Sequence, residues 1–68
     1  MEKLREHRTQ KGYSHKVMAE HLGISKTYYW QIENDVRRLS YVMAIKISEV
    51  FKMKPDDLFY DELKKNKD

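Results

Sequence analysis

The fold is decided by the stretch from Met18 to Asn34, which reads MAEHLGISKTYYWQIEN. Gly23 follows Leu22 and permits the left-handed backbone conformation that ends a helix and reverses the chain. Ser25 then offers a hydroxyl that can accept a hydrogen bond from a free backbone amide, as a helix N-cap does. The stretch therefore predicts two short helices joined by a tight turn, which is a helix-turn-helix.

Similar signals divide the rest of the chain into helices. Gly12 is a helix-ending signal, Ser14 and Ser40 are good N-caps, and Pro55 with the acids after it begins a helix. Apolar residues recur at spacings of three and four instead of alternating, which indicates helices and no strands. We expect an all-α, compact five-helix domain over residues 1–60, with the helix-turn-helix at about 14–34 and a C-terminal tail over 61–68. The predicted helices cover about 2–11, 14–22, 25–34 and 41–51, with a short fifth from 55.

Composition excludes several classes of protein. The 68 residues include no cysteine, which removes disulfide staples and thiolate metal sites. No apolar run approaches the roughly 20 residues that span a bilayer, and residues 1–5 lack the apolar block of a signal peptide. We therefore expect a cytoplasmic protein that has no cofactor and no membrane partner.

Charge is distributed unevenly along the chain. The net charge is +3, and residues 1–46 carry 9 Lys and Arg against 5 Asp and Glu. A basic excess in this part favours a polyanion partner, although an asymmetry of this size is also common on solvated surfaces.

Five stretches carry a resemblance to a known family: Gly12-Tyr13-Ser14, residues 18–25, residues 31–34, Lys46-Ile47 and residues 56–59. In their order and spacing the chain resembles the phage-repressor, Cro and xenobiotic-response-element (XRE) family of bacterial helix-turn-helix regulators, which have a lambda-repressor-like fold. The resemblance implies a sequence-specific DNA-binding transcriptional regulator, most simply a repressor. Such a protein binds a pseudo-palindromic operator as a homodimer and inserts its third helix into the major groove.

The resemblance also assigns DNA contacts to individual residues. Base contacts fall on Lys26, Thr27 and Gln31, whose side chains suit guanine, the thymine methyl and adenine respectively. Contacts to the DNA backbone fall on Ser14, His15, Ser25, Tyr28, Arg37 and Arg38. For Ser14 and His15 the contact is expected through main-chain amides at a helix N-terminus. Trp30 is unusual for the family, and it either touches the groove edge or packs over the first or second helix.

Other positions are assigned structural roles. Arg8 and Glu33 match a family ion pair that ties the first helix to the third. Asp35 and Lys52 stand where the family usually has glycine, and His7 where it usually has leucine. The fourth and fifth helices are more apolar than one side of a small domain can bury, so we expect a homodimer interface or, alternatively, the completion of the monomer core. The interface residues are Tyr41, Val42, Ile45, Leu58, Tyr60 and Leu63.

Two functions from other classes remain to be weighed. The same fold serves as a protein-interaction module, namely an antitoxin, antirepressor or adaptor, with Trp30 and Tyr28 as anchors, and a regulatory protein partner is possible. An enzyme is not expected, because no nucleophile, base and acid pattern is recognisable. The three histidines lack the spacing of a metal site.

Overall fold

The computed structural model describes residues 1–65, and all regular structure in that range is helical. The five helices are α1 (Glu2–Gln10), α2 (His15–Leu22), α3 (Lys26–Glu33), α4 (Tyr41–Val50) and α5 (Pro55–Lys65). The predicted all-α class and the number of helices are therefore confirmed. The backbone of α5 is kinked at Phe59, but the helix resumes and ends at Lys65, so residues 61–65 are helical and not the beginning of a tail. The remaining part of the predicted tail, residues 66–68, lies outside the described residues.

Serine side chains fix where three of the helices begin. The hydroxyls of Ser14, Ser25 and Ser40 accept hydrogen bonds from the backbone amides three residues later, at 3.1, 3.0 and 3.1 Å. Each bond satisfies an amide that has no partner inside its helix, which stabilises a helix by about 1 kcal/mol. These are the three N-caps that the sequence predicts.

A left-handed residue fixes where four of the helices end. Gly12, Gly23, Asp35 and Lys52 have φ angles of 75°, 70°, 61° and 55°. After each of them, the next residue donates its amide to a carbonyl five residues earlier, which is the Schellman arrangement. The family glycine positions occupied by Asp35 and Lys52 thus retain the backbone conformation that glycine adopts most easily.

Residues 1–38 form the first of two compact units, and in it α3 packs against both α1 and α2. The apolar side chains of the three helices are buried on their facing sides: Leu4, Met18, Ala19, Leu22, Tyr29 and Ile32. The packing holds α3 by its inner face, so the opposite face of α3 is left outside.

The second unit begins at Leu39 and contains α4 packed against α5. Its buried apolar side chains are Leu39, Met43, Ala44, Ile47, Leu58 and Phe59. Leu58 is only 3% exposed within the single chain. Leu58 therefore belongs to the core of this unit and offers little surface to the predicted dimer interface, because α5 turns this side chain inward.

No helix in the described part of the chain combines the length and the apolar character needed to cross a membrane.

Candidate nucleic-acid interface

The outer face of α3 carries the residues that the sequence assigns to base contacts. Lys26 and Thr27 are exposed and Gln31 is partly exposed, whereas Tyr29 and Ile32 are buried. Thr27 and Gln31 are four residues apart and lie in one row along the helix, with Lys26 in the adjacent row. The structure therefore brings the three predicted base-contacting side chains onto one accessible face.

The loop after α3 returns to this face. The Arg37 Nε atom donates a hydrogen bond of 3.1 Å to Gln31 Oε1, and the Arg37 guanidinium carbon lies 4.6 Å from the centre of the Tyr28 ring. The sequence assigns these three residues separately to base and backbone contacts, and it gives no sign that they touch. Arg38, the other predicted backbone contact in this loop, is exposed.

Beneath α3 lies a buried carboxylate, that of Glu33. Arg8 Nε is 3.0 Å from Glu33 Oε1 and 3.2 Å from Oε2, which is the predicted pairing of α1 with α3. The same guanidinium donates from Nη1 to the Tyr13 carbonyl at 2.8 Å. Since Glu33 is fully buried, the pair is a structural link between helices and not a surface contact.

His15 joins this buried group. Its Nε2 atom lies 2.8 Å from Glu33 Oε2, and its ring is 6.0 Å from that of Tyr29. The imidazole is therefore directed into the unit, which leaves the main-chain amide at the start of α2 as the group of His15 suited to a phosphate. The sequence reasoning missed this contact, because His15 and Glu33 belong to different helices and no spacing rule connects them.

The Tyr29 hydroxyl is the other polar group beneath α3. It is buried and, within the described residues, has no hydrogen-bond partner. Burial raises the pKa of the Tyr29 phenol, the charge of Glu33 raises it further, and Arg8 acts in the opposite direction. Tyr29 therefore stays protonated behind the candidate interface.

Trp30 is 44% exposed, so neither α1 nor α2 covers it fully. It lies four residues after Lys26 and therefore on the same side of α3. Its backbone carbonyl accepts a hydrogen bond of 3.0 Å from the Asn34 side chain, which braces the end of the helix. An indole at this place is accessible to either a groove edge or a protein partner.

The predicted dimer residues divide by exposure. Tyr41, Val42 and Tyr60 are 63%, 62% and 60% exposed, and Ile45 and Leu63 are half-buried. Apart from the buried Leu58, the predicted interface residues on α4 and α5 are therefore accessible in the single chain.

His15 and His21 contact other side chains. His21 stacks on Tyr13 with ring centres 5.0 Å apart, and His15 pairs with Glu33. Within the described residues there is no group of three or more His, Cys, Asp or Glu that could hold a metal ion.

Comparison with known families and proteins agrees with this geometry. A family model described as a helix-turn-helix domain matches residues 1–64, so the chain belongs to the helix-turn-helix domain family. Membership confirms the resemblance to the XRE-like regulators that the sequence motifs indicate.

Two curated relatives are similar to the chain, both described as HTH-type transcriptional regulator RamB, from Mycobacterium tuberculosis strains CDC 1551 / Oshkosh and ATCC 25618 / H37Rv. Each is 41% identical over 49 residues, which cover 72% of this chain and 10% of the relative. The chain thus spans about a tenth of the length of these relatives. No solved structure matches the chain significantly.

Proposed function

We propose that the chain is a sequence-specific DNA-binding transcription regulator, acting as a repressor, that inserts α3 into the major groove. Membership in the helix-turn-helix family and similarity to a regulator of transcription support the DNA-binding role. The observation that carries the proposal is the outer face of α3, where Lys26, Thr27 and Gln31 are together and accessible. A groove about 12 Å wide admits such a helix.

The contacts divide into those that specify the site and those that position the protein. Lys26, Thr27 and Gln31 contact base edges. The main-chain amides at the start of α2, together with Ser25 and Tyr28, contact the DNA backbone, as do Arg37 and Arg38. The proposed location is the bacterial cytoplasm, where operator DNA is found. The absence of cysteine is compatible with this reducing compartment.

The regulator acts as a homodimer through Tyr41, Val42, Ile45, Tyr60 and Leu63. The exposure of large apolar side chains on α4 and α5 supports this proposal, because such patches usually mark an interface. A two-fold dimer presents two α3 helices to half-sites about one helical turn of DNA apart.

The decisive experiment is selection from random-sequence duplexes at about 150 mM salt, a concentration at which weak non-specific contacts are largely screened. The proposal predicts a two-fold symmetric site with half-sites about 10 to 11 base pairs apart. If each subunit neutralises about four phosphates, affinity for that site falls with a log-log salt slope near −7. A reporter gene carrying the selected site is expected to be expressed less when the protein is present.

Two triple alanine variants, one on α3 and one at the end of α1, test whether α3 is responsible for selecting the DNA site. Alanine at Lys26, Thr27 and Gln31 is expected to abolish enrichment. Alanine at Thr9, Gln10 and Lys11 removes the same three residue types from exposed positions at the end of α1 and is expected to preserve it. Equal behaviour of the two variants would contradict a base-reading α3.

The exposed indole of Trp30 favours a second candidate, a protein-interaction module of the same fold used as an antitoxin, antirepressor or adaptor. Tryptophan is enriched among residues that dominate protein interfaces. Failure to select any DNA site, together with binding to duplexes that disappears with salt, would support this candidate against the regulator.

A further inference from the structure

Arg37 contacts α3 in three ways. Its Nε atom donates to Gln31 Oε1 at 3.1 Å, and its backbone amide donates to the Gln31 carbonyl at 3.1 Å. Its guanidinium lies over the ring of Tyr28, 4.6 Å from the centre. Arg37 is thus held beside a residue that the proposed function assigns to base recognition.

The local backbone explains why Arg37 is there. Asp35 adopts a left-handed conformation with φ 61°, and Val36 then donates its amide to the Gln31 carbonyl at 2.8 Å. The chain therefore folds back over the last turn of α3 instead of leaving it. Two residues after the reversal, the side chain of Arg37 lies next to Gln31.

This contact fixes the polarity of the Gln31 amide. A guanidinium has five N–H donors and no acceptor, so only the oxygen of the Gln31 amide can face it. The Nε2 amino group, with two donors, is turned away from Arg37. A glutamine without such a partner can offer either its oxygen acceptor or its amino donors to a base. Gln31 instead offers the donors of its amino group, next to the positive charge of Arg37.

We infer that Arg37 sets the base specificity of Gln31, so that Gln31 reads guanine and not adenine. The inference rests on the proposed function. In the major groove guanine offers two acceptors, O6 and N7, whereas adenine offers the acceptor N7 beside the N6 amino donor. A glutamine that pairs with adenine must use its oxygen as an acceptor. Here Arg37 occupies one of the two lone pairs of that oxygen and holds it on the side of the guanidinium. The Gln31 amino group is left to donate to the acceptors of guanine, and the positive charge of Arg37 disfavours the adenine amino group beside the oxygen.

Tyr28 makes the arrangement dependent on arginine in particular. A flat guanidinium can stack on a tyrosine ring while its edge donates to Gln31. The ammonium group of lysine has the same charge, but it is not flat and cannot stack on the tyrosine ring while donating an edge N–H to Gln31. Arg37 is therefore a positioning residue, which acts on the base through Gln31.

The base pair contacted by Gln31 is first located as the operator position at which the Gln31→Ala variant no longer prefers any base. Four duplexes are then made that carry the selected operator and differ only at this base pair. Affinities are measured for the wild type, Arg37→Ala and Arg37→Lys. The wild type is expected to prefer guanine over adenine by about tenfold, the size of effect that a good base contact gives. In both Arg37 variants the ratio is expected to fall to about twofold or less, whatever happens to overall affinity.

Two further variants distinguish positioning from loss of charge or stacking. Arg38→Ala removes the same charge from the adjacent residue, and it is expected to weaken binding to all four duplexes equally while keeping the tenfold ratio. Tyr28→Phe keeps the stacked ring and is expected to keep the ratio, whereas Tyr28→Ala is expected to reduce it. Circular dichroism of each variant verifies that the helices are retained.

Each contrary outcome has a distinct meaning. Adenine preferred by the wild type, or guanine preference unchanged in Arg37→Ala, overturns the inference and leaves the proposed function standing. A Gln31→Ala variant that keeps all base preferences also overturns the inference. A wild type that selects no site overturns the proposed function, and the inference with it.

Discussion

At the scale of single residues, Glu33 has the largest expected effect on stability. Its carboxylate is fully buried and contacts Arg8 and His15 from two other helices. Glu33→Gln leaves the Arg8 charge buried without its counter-ion, which costs on the order of 3 kcal/mol. Denaturant unfolding measures the loss, with Glu20→Gln, an exposed position on α2, as the control that is expected to change little. Equal stabilities of the two variants would contradict a structural role for the pair.

A second prediction at this scale concerns the Tyr29 phenol, whose pKa is raised chiefly by burial. In the unfolded chain a tyrosine loses its proton near pH 10, whereas the folded protein retains it. The stability linked to Tyr29 is therefore fully present below about pH 10 and is lost as the pH rises above that value. The free energy of unfolding is expected to fall from pH 9 to pH 11 more steeply in the wild type than in Tyr29→Phe.

The exposed Tyr60 supplies the control for this prediction, because Tyr60→Phe is expected to follow the wild-type pH dependence. At neutral pH, Tyr29→Phe is expected to cost less than about 1 kcal/mol, since the hydroxyl it removes has no partner in the described structure. A loss above about 2 kcal/mol at neutral pH would mean that the hydroxyl is bonded in solution.

At the scale of elements, the backbone is strained at Lys52, just after the end of α4. Lys52 has φ 55°, a conformation that costs a residue with a Cβ about 1 kcal/mol or more and costs glycine little. Lys52→Gly is therefore expected to raise the free energy of unfolding by about 0.5 to 1 kcal/mol, part of the gain being offset by the greater freedom of glycine in the unfolded chain. Lys52→Ala removes the same charge but keeps the Cβ, so it is expected to bring no gain. Thermal unfolding of the two variants side by side decides the matter.

Elements were predictable from the sequence where one residue determines local geometry. The serine N-caps and Gly23 determine helix ends through their own backbone and side-chain chemistry, so the starts of α2, α3 and α4 and the end of α2 follow from the sequence alone. The burial of the Leu58 side chain within its own chain was not predictable, because an apolar residue on a short helix packs equally well against its own chain or against another.

The accessibility of the candidate site residues on α3 was predictable from the sequence, whereas their contacts with other side chains were not. Lys26, Thr27 and Gln31 lie on an accessible face because helical periodicity places them there. The contacts of His15 with Glu33 and of Arg37 with Gln31 depend on how helices pack and how a loop reverses, which sequence spacing does not record. The family pattern gave the Arg8–Glu33 pair, because both residues stand at matched positions.

At the scale of the whole molecule, the proposed homodimer depends on the exposed apolar side chains of α4 and α5. Val42 is 62% exposed, so Val42→Glu is not expected to disturb the fold of a single chain. In a dimer the same change buries a carboxylate against an apolar surface, and the desolvation cost of several kcal/mol is incurred twice by symmetry. Sedimentation equilibrium at micromolar concentration is expected to show a dimer for the wild type and a monomer for Val42→Glu.

Gln10→Glu is the control for that prediction, because it adds the same charge at an exposed position of α1 and is expected to remain dimeric. Loss of the dimer is also expected to lower affinity for the symmetric operator, because binding of one α3 raises the effective concentration of the second α3 at its half-site. Two linked α3 helices bind two half-sites with an avidity far above that of one, so monomeric Val42→Glu is expected to lose at least a hundredfold in affinity for the symmetric operator while its affinity for an isolated half-site is unchanged. Equal losses on both DNAs would place Val42 in the DNA contact and not between subunits, whereas unchanged affinity for the operator would mean that a single chain is the unit that binds.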